Sequence, residues 1–332
     1  MGIKSLTNTI KKYSPDSIQH ENLYKLSGKR VAVDASLIIY QQLLNSPNTK
    51  ILRNKEGKIT NHINGLFYKI MNYISLNINL IFIFDGKPPE NKSDTIEKRK
   101  QKCENAKLKL KENNFTDQKE KNKLEKSTIR LTSEMINDIK YLLKLLGISY
   151  INSDGEAEAL ASELCRIGYV DYVLSEDMDT LVYGCPKLIR NCIDKKLKRK
   201  DIISIFNYEK ILSDFNFNKD EFIDFCILCG CDYCNSVPKI GNITAFKLFQ
   251  KYKNIDTIIK NTKYNFPENY LDDFNKSKEN FLLFYNKINI DNLIIYNSQK
   301  DIIKLENFLI HEIQMNEKRV QNTLKKFNNN YK

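Results

Sequence analysis

Three acids, Glu176, Asp177 and Asp179, follow a short apolar strand pattern in YVLSEDMD, residues 172–179. A carboxylate at the mouth of a buried strand loses hydration, and only a neighbouring positive charge or donors restore what is lost. The placement recurs along the chain. Asp34 sits at the end of the apolar run in KRVAVDASLII, and Asp85 ends LIFIFDG. Glu156 and Glu158 open a helix-forming stretch after residue 154, where the helix dipole favours negative charge. Asp232 follows the apolar helix pattern DEFIDFCILCG. Singly, each has a local alternative: an N-cap for Asp34, a turn at Asp85-Gly86, dipole complementation for the two glutamates. As a set, Asp34, Asp85, Glu156, Glu158, Asp177, Asp179 and Asp232 repel one another unless divalent cations neutralise them. Hard carboxylate oxygens suit Mg²⁺ or Mn²⁺. Two such ions ~3.5–4 Å apart are the usual apparatus for in-line phosphodiester cleavage.

Residues so remote in sequence converge only if the chain stacks strands side by side. The run 29–39 reads as a buried strand entering a helix, 61–78 as a helix and 80–86 as a second buried strand. Residues 98–146 look helical with one break near 113–117; 148–153 is a strand, 155–168 a helix, 169–177 a further strand, and 187–192 one more. From residue 208 onward helical patterns dominate. Strands separated by helical crossovers predict an α/β fold with a mostly parallel twisted central sheet and helices on both faces. In such sheets ligands bind beyond the carboxyl ends of the strands, where these acids fall.

The chain has 332 residues, 41% of them hydrophobic, enough for a sizeable core. Its net charge of +12 points to a polyanionic partner, or in part to codon bias in a chain rich in Asn, Lys and Ile. Residues 98–130 hold twelve Lys/Arg against five Asp/Glu, read either as a solvated helical arm or as a basic arch over a phosphate backbone. No apolar run reaches the ~18 residues of a membrane span, and the N-terminus lacks a signal-peptide pattern, so a soluble intracellular protein is expected. Four of the eight cysteines crowd into CILCGCDYC: Cys226, Cys229, Cys231 and Cys234. One residue between two CxxC pairs is too little to present four thiolates tetrahedrally, so reduced, mostly buried thiols are expected rather than zinc ligands.

The blocks MGIKSL, VAVDASLIIYQ, FDGKPP, GEAEA, SEDMDTLVYG and LCGCDYCNSVPKIGNITAFKLFQKY follow one another in the order seen in the flap endonucleases. The chain resembles these structure-specific 5′ nucleases of the XPG/RAD2 superfamily over roughly residues 1–327. The resemblance implies a PIN-like 5′-nuclease fold in a single core spanning 1–332. Within it lie an N-terminal nuclease region (1–100), a helical arch (90–135) and an internal nuclease region (140–235). A helix–two-turn–helix element (225–260) and a C-terminal helical segment (300–330) follow. It implies a monomeric 5′ flap endonuclease, with 5′→3′ exonuclease activity, acting on branched or flapped duplex DNA in replication and repair. A sibling exonuclease, a junction resolvase and an inactive DNA-binding scaffold are the competing readings.

By the same resemblance the seven acids share two Mg²⁺ ions, Asp177 and Asp179 belonging to the catalytic set together with Lys92 and Arg99, which contact the scissile phosphate. Tyr40 stacks on the nucleotide at the cleavage site, Gly2 lies beside the active site, and Thr60 belongs to a pocket for a one-nucleotide 3′ flap. In the helix–two-turn–helix, Gly241 offers its amide to a phosphate, Lys247 and Lys251 follow the duplex, and Ser236, Val237 and Ile240 hold a K⁺ ion. Relatives usually carry Gly before the Ile; Lys239 stands here, either adding a phosphate contact or straining the turn. The arch is expected to be poorly ordered without DNA. At the C-terminus, Gln321, Leu324 and Phe327 match a sliding-clamp box only in part, and their spacing also suits an amphipathic helix. A nuclear or viral replication compartment is implied.

Overall fold

β-Branched and aromatic residues alternate between the two faces of the strands and so divide the core in two. The computed structural model describes residues 2–3, 5–44, 51–87, 92–112, 118–194, 196–197, 199, 201–283 and 290–329. Eight strands form one sheet: β1 (Ile18–Asn22), β2 (Arg30–Asp34), β3 (Asn79–Phe84), β4 (Ser149–Asn152), β5 (Tyr172–Leu174), β6 (Lys187–Asn191), β7 (Ile202–Asn207) and β8 (Ile295–Tyr296). Their order is β1-β7-β6-β5-β2-β3-β4-β8. The five central strands, β6 to β4, pair in parallel, and β1, β7 and β8 close the edges antiparallel. The sheet is therefore mixed, with a parallel centre as expected. The antiparallel edges are not foreseen in the sequence. β1 reads IQHEN, too polar to announce a strand, and is held by its pairing to β7.

On β2, Ala32 faces one core while Val31 and Val33 face the other, the period-two alternation of a strand buried on both sides. One core lies under α1 (Leu6–Tyr13), α7 (Ala157–Arg166), α8 (Asp179–Val182), α9 (Tyr208–Phe215), α10 (Lys219–Cys229), α11 (Asn242–Tyr252), α12 (Ile255–Asn261) and α13 (Tyr270–Leu282). The other lies under α2 (Ala35–Leu44), α3 (Asn61–Ser75), α6 (Ser133–Leu146), α14 (Ile302–Asn307) and α15 (Glu317–Asn329).

The arch region is two helices, α4 (Ser93–Glu112) and α5 (Gln118–Thr128), lying against one another with Cys103 and Ala106 buried. The charge run alone does not announce this seam, one buried turn of the long helix. The break expected near 113–117 lies outside the described residues. A second break, unforeseen, falls between α5 and α6, where the Thr132 side chain caps α6 by accepting the Met135 N–H at 3.2 Å. α15 buries Val320, Leu324 and Phe327, while Gln321 donates to Glu306 at 2.9 Å. The spacing of the partial clamp box is thus the packing face of a helix: Leu324 and Phe327 are core residues, not an exposed docking motif.

Candidate active site

β2, β3, β4 and β5 all end on the same side, and each delivers acids there. Asp34 is the last residue of β2 and Asp85 follows β3 directly. Glu156 occupies the N-cap position of α7 after β4, with Glu158 in the first turn. Asp177 and Asp179 follow β5, and Asp232 stands in the loop after α10. Asp34, Asp85, Glu156, Glu158, Asp177 and Asp232 line one cleft of about 520 Å³, together with Tyr40, Lys92 and Arg99. Asp179 is joined to it through its N–H, donated to Asp177 Oδ1 at 3.1 Å. The structure therefore brings the predicted acids to one place.

Hydrogen bonds fix their orientation. Asp85 Oδ1 accepts the Ala157 N–H at 2.8 Å, tying the end of β3 to the start of α7. Asp34 accepts from the Leu37 N–H at 3.1 Å, so the N-cap-like bond is real, and its other oxygen accepts from Ser175 Oγ at 3.0 Å. Ser175 Oγ accepts in turn from the Asp177 N–H. Ser175 is a positioning group that reading for acids overlooked, although it directly precedes the acid run.

Gly2 explains its own identity. Its φ is +75°, and a Cβ there would overlap Asp177 Oδ1 and lie 2.5 Å from Asp179 Oδ1. The next residue, Ile3, donates its N–H to Asp179 Oδ1 at 2.8 Å.

The electrostatics are those of crowded, desolvated anions. Burial pushes the Asp34 carboxyl up to about 7, reinforced by Asp85 and Asp177 against the Leu37 and Ser175 donors. Glu158 and Asp179 are driven well above the ordinary carboxylate range, first by burial and then by neighbouring acids. Asp177 rises for the same leading reason. Two cations answer from the arch side: Lys92 Nζ lies 2.6 Å from Glu156 Oε2 and 3.9 Å from Asp232 Oδ2, and Arg99 Nη2 lies 2.8 Å from Asp232 Oδ2. Burial alone would lower the Lys92 pKa, but Glu156, Glu158 and Asp232 together raise it.

The donor set fits divalent cations. Oxygens of Asp85, Glu156 and Glu158 lie within 4.8 Å of one another, with all-oxygen, net-negative chemistry. No cysteine belongs to such a group among the described residues. Cys226, Cys229 and Cys234 are buried, Cys231 partly so, and all four are free thiols whose pKa burial raises.

Of the other predicted residues, Tyr40 borders the cleft and the rest lie apart from it. Thr60 is buried at the N-cap position of α3 but makes no side-chain cap bond. Tyr40 does double duty: one part packs with Leu43, Ile129 and Met135, and it also lines the cleft. Gly241 is the N-cap residue of α11, and Lys239, Lys247 and Lys251 are exposed beside it or along it. Lys239 adopts φ +67°, the left-handed region, so the turn retains the backbone a glycine would take without strain. Val237 and Ile240 are buried, and the Val237 carbonyl accepts the Ile240 N–H at 3.0 Å. Gly230, at φ +95°, packs against Ser236. The element is anchored to the catalytic layer by Tyr13 of α1, stacked on Phe246 of α11 at 4.1 Å.

Comparison with known proteins bears on this geometry. Residues 1–106 match the XPG N-terminal domain model and residues 147–232 the XPG I-region. The chain is 39% identical to flap endonuclease 1 of Cryptosporidium parvum, across 96% of this chain and 69% of that protein. It is 36% identical to flap endonuclease 1 of Candida albicans, across 98% of this chain and 89% of that one. The solved flap endonuclease-1 of Methanococcus jannaschii superposes with a TM-score of 0.69 at 29% identity, covering 95% and 97% of the two chains. The catalytic core of Rad2 in complex with DNA substrate, 22% identical with a TM-score of 0.70, shares the fold.

Proposed function

Because the chain belongs to the flap endonucleases of the XPG/Rad2 family, we propose that its seven clustered acids hold two Mg²⁺ ions and that its cleft takes the phosphodiester at the base of a 5′ flap. The activity is phosphodiester hydrolysis by a metal-dependent, DNA-binding nuclease of replication and repair. The observation that carries the site assignment is the convergence of acids from four strand ends and the α10 loop on one cleft.

When bound, the ions supply Lewis acidity and a nucleophile at neutral pH; Mn²⁺ has the chemistry to substitute. Asp34, Asp85, Glu156, Glu158, Asp177, Asp179 and Asp232 hold them. The Lys92 ammonium and Arg99 guanidinium, already fixed over the acids, offer positive charge to the phosphoryl oxygens as negative charge develops. The Tyr40 ring at the cleft wall offers a face for an unpaired base. The strand passes under α4 and α5, and one nucleotide unpairs to reach the cleft.

Duplex DNA is held at a distance by Gly241 and its flanking lysines. The backbone N–H groups at the α11 N-terminus present partial positive charge to one phosphate, and Lys239, Lys247 and Lys251 add charge along the duplex. The turn of Ser236, Val237 and Ile240 is the candidate K⁺ site, and Thr60 the candidate contact to a 3′ flap. Action on replicating DNA suits a nucleus or a viral replication compartment. Among the described residues no helix is long and apolar enough to cross a membrane.

The test is a double-flap duplex, labelled at its 5′ end, with the native chain and Asp177→Ala. The variant is expected to lose Mg²⁺-dependent cutting by at least ~10³-fold, as for a group acting directly at the reacting centre, while retaining DNA binding. Cutting at the native rate by Asp177→Ala refutes the assignment. Blunt duplex run in parallel separates flap from exonuclease preference.

A further inference from the structure

Glu176 lies in the run that carries Asp177 and Asp179, yet it is not among the cleft residues. Its Oε1 accepts the Asn191 N–H at 2.6 Å, and its Oε2 accepts Arg190 Nε at 3.2 Å, with Arg190 Nη2 also at 3.2 Å. The same guanidinium donates through Nη1 to Thr7 Oγ1 at 2.9 Å and lies 3.0 Å from Met178 Sδ. Its side chain is only 15% exposed. Thr7 belongs to α1, the helix reached through Gly2 and Ile3, whose backbone lies against Asp177 and Asp179. One planar group on β6 thus closes a ring through the acid-bearing loop, α1 and the N-terminal segment. A guanidinium fork can donate in these separate directions at once; an ammonium is a single compact point.

We propose that Arg190 is a positioning residue for the metal centre. Acting through Glu176 and Thr7, it holds the Asp177–Asp179 loop and the Gly2–Ile3 segment in one register and thereby sets the affinity for divalent ions. The inference rests on the metal role assigned to these acids above. A group that merely braced the fold would change stability and leave metal affinity per folded molecule untouched.

The experiment titrates Mn²⁺ into the metal-free full chain without DNA, free ion being read by electron paramagnetic resonance and folding by circular dichroism. Arg190→Gln and Glu176→Gln are each expected to weaken Mn²⁺ binding by about 10-fold or more, the range for groups that orient metal ligands. The double variant is expected to be no weaker than Arg190→Gln alone, since one coupled unit is broken. Arg190→Lys is expected to restore part of the loss, and hydrogen exchange at the Ile3 amide to quicken in Arg190→Gln. Native Mn²⁺ affinity in both single variants, or additive losses, overturns the proposal. If Arg190→Gln does not fold, Thr7→Val takes its place, with weaker Mn²⁺ binding expected and unchanged binding overturning it. Asp177→Ala separates the two levels. If it binds Mn²⁺ like the native chain, the metal reading fails; if it alone loses binding, only the bracing role fails.

Discussion

At Asp34 the surroundings decide the charge. The residue is 1% exposed, and burial holds its carboxyl at about 7, against an ordinary value of 3.8. Between about pH 4 and about pH 7 the metal-free folded chain keeps a proton that the unfolded chain has released. The folded state is therefore favoured at the acidic end of this window and loses that advantage as pH rises through it. The ceiling is roughly 4 kcal/mol, at 1.36 kcal/mol per pH unit, and Glu158 and Asp179 shift in the same direction. A bound cation reverses the preference by stabilising the ionised forms. In EDTA, the melting temperature of the native chain relative to Asp34→Asn is expected to fall between about pH 5 and about pH 8. Added Mg²⁺ is expected to raise the native melting temperature more at about pH 8 than at about pH 6. The opposite trend in a calorimetric series shows that these carboxylates do not share a cation.

The turn before α11 shows what an element asks of one residue. Its backbone runs through the left-handed region at Lys239, which costs an L-residue roughly 1–2 kcal/mol. Lys239→Gly relieves that strain and gives back part of it as lost chain restriction, so a net stabilisation of about 0.5–1 kcal/mol is expected in urea. The same change removes an exposed ammonium beside the proposed phosphate site, and the slope of log affinity against log salt is expected to shallow by about 0.9. A variant that gains stability with an unaltered slope shows that Lys239 does not touch DNA. The arch makes the complementary point. About half of its residues are charged, yet Cys103 and Ala106, one turn apart, give α4 a buried seam.

Across the whole molecule, two cores clamp the sheet and leave its carboxyl edge open for the acids. The C-terminal helix belongs to that clamp: Phe327 is 5% exposed, with Leu324 and Val320 on the same face. Phe327→Ala is expected to cost roughly 3 kcal/mol by cavity formation, read as a lowered urea midpoint, with DNA cleavage retained below the melting transition. An unchanged midpoint removes α15 from the folding unit. The aromatic packing of Tyr13 on Phe246 links α1 to α11, so the segment at Gly2 and the turn proposed to hold DNA are positioned through one shared core.

The parallel strands were legible because burial on both faces writes continuous apolar runs, and the acids because each interrupts such a run at its end. The antiparallel strands were not: IQHEN is mostly polar, and β1 becomes a strand through its pairing with β7, which is itself held by β6 on its other side. Acid type and order were set by the local chain. Which acid serves which task was decided in three dimensions, where Glu176 turns to Arg190 while its neighbours Asp177 and Asp179 meet Gly2 and Ile3. Spacing along a chain records which residues can share a strand end; direction, desolvation and partner choice arise only when distant segments close around them.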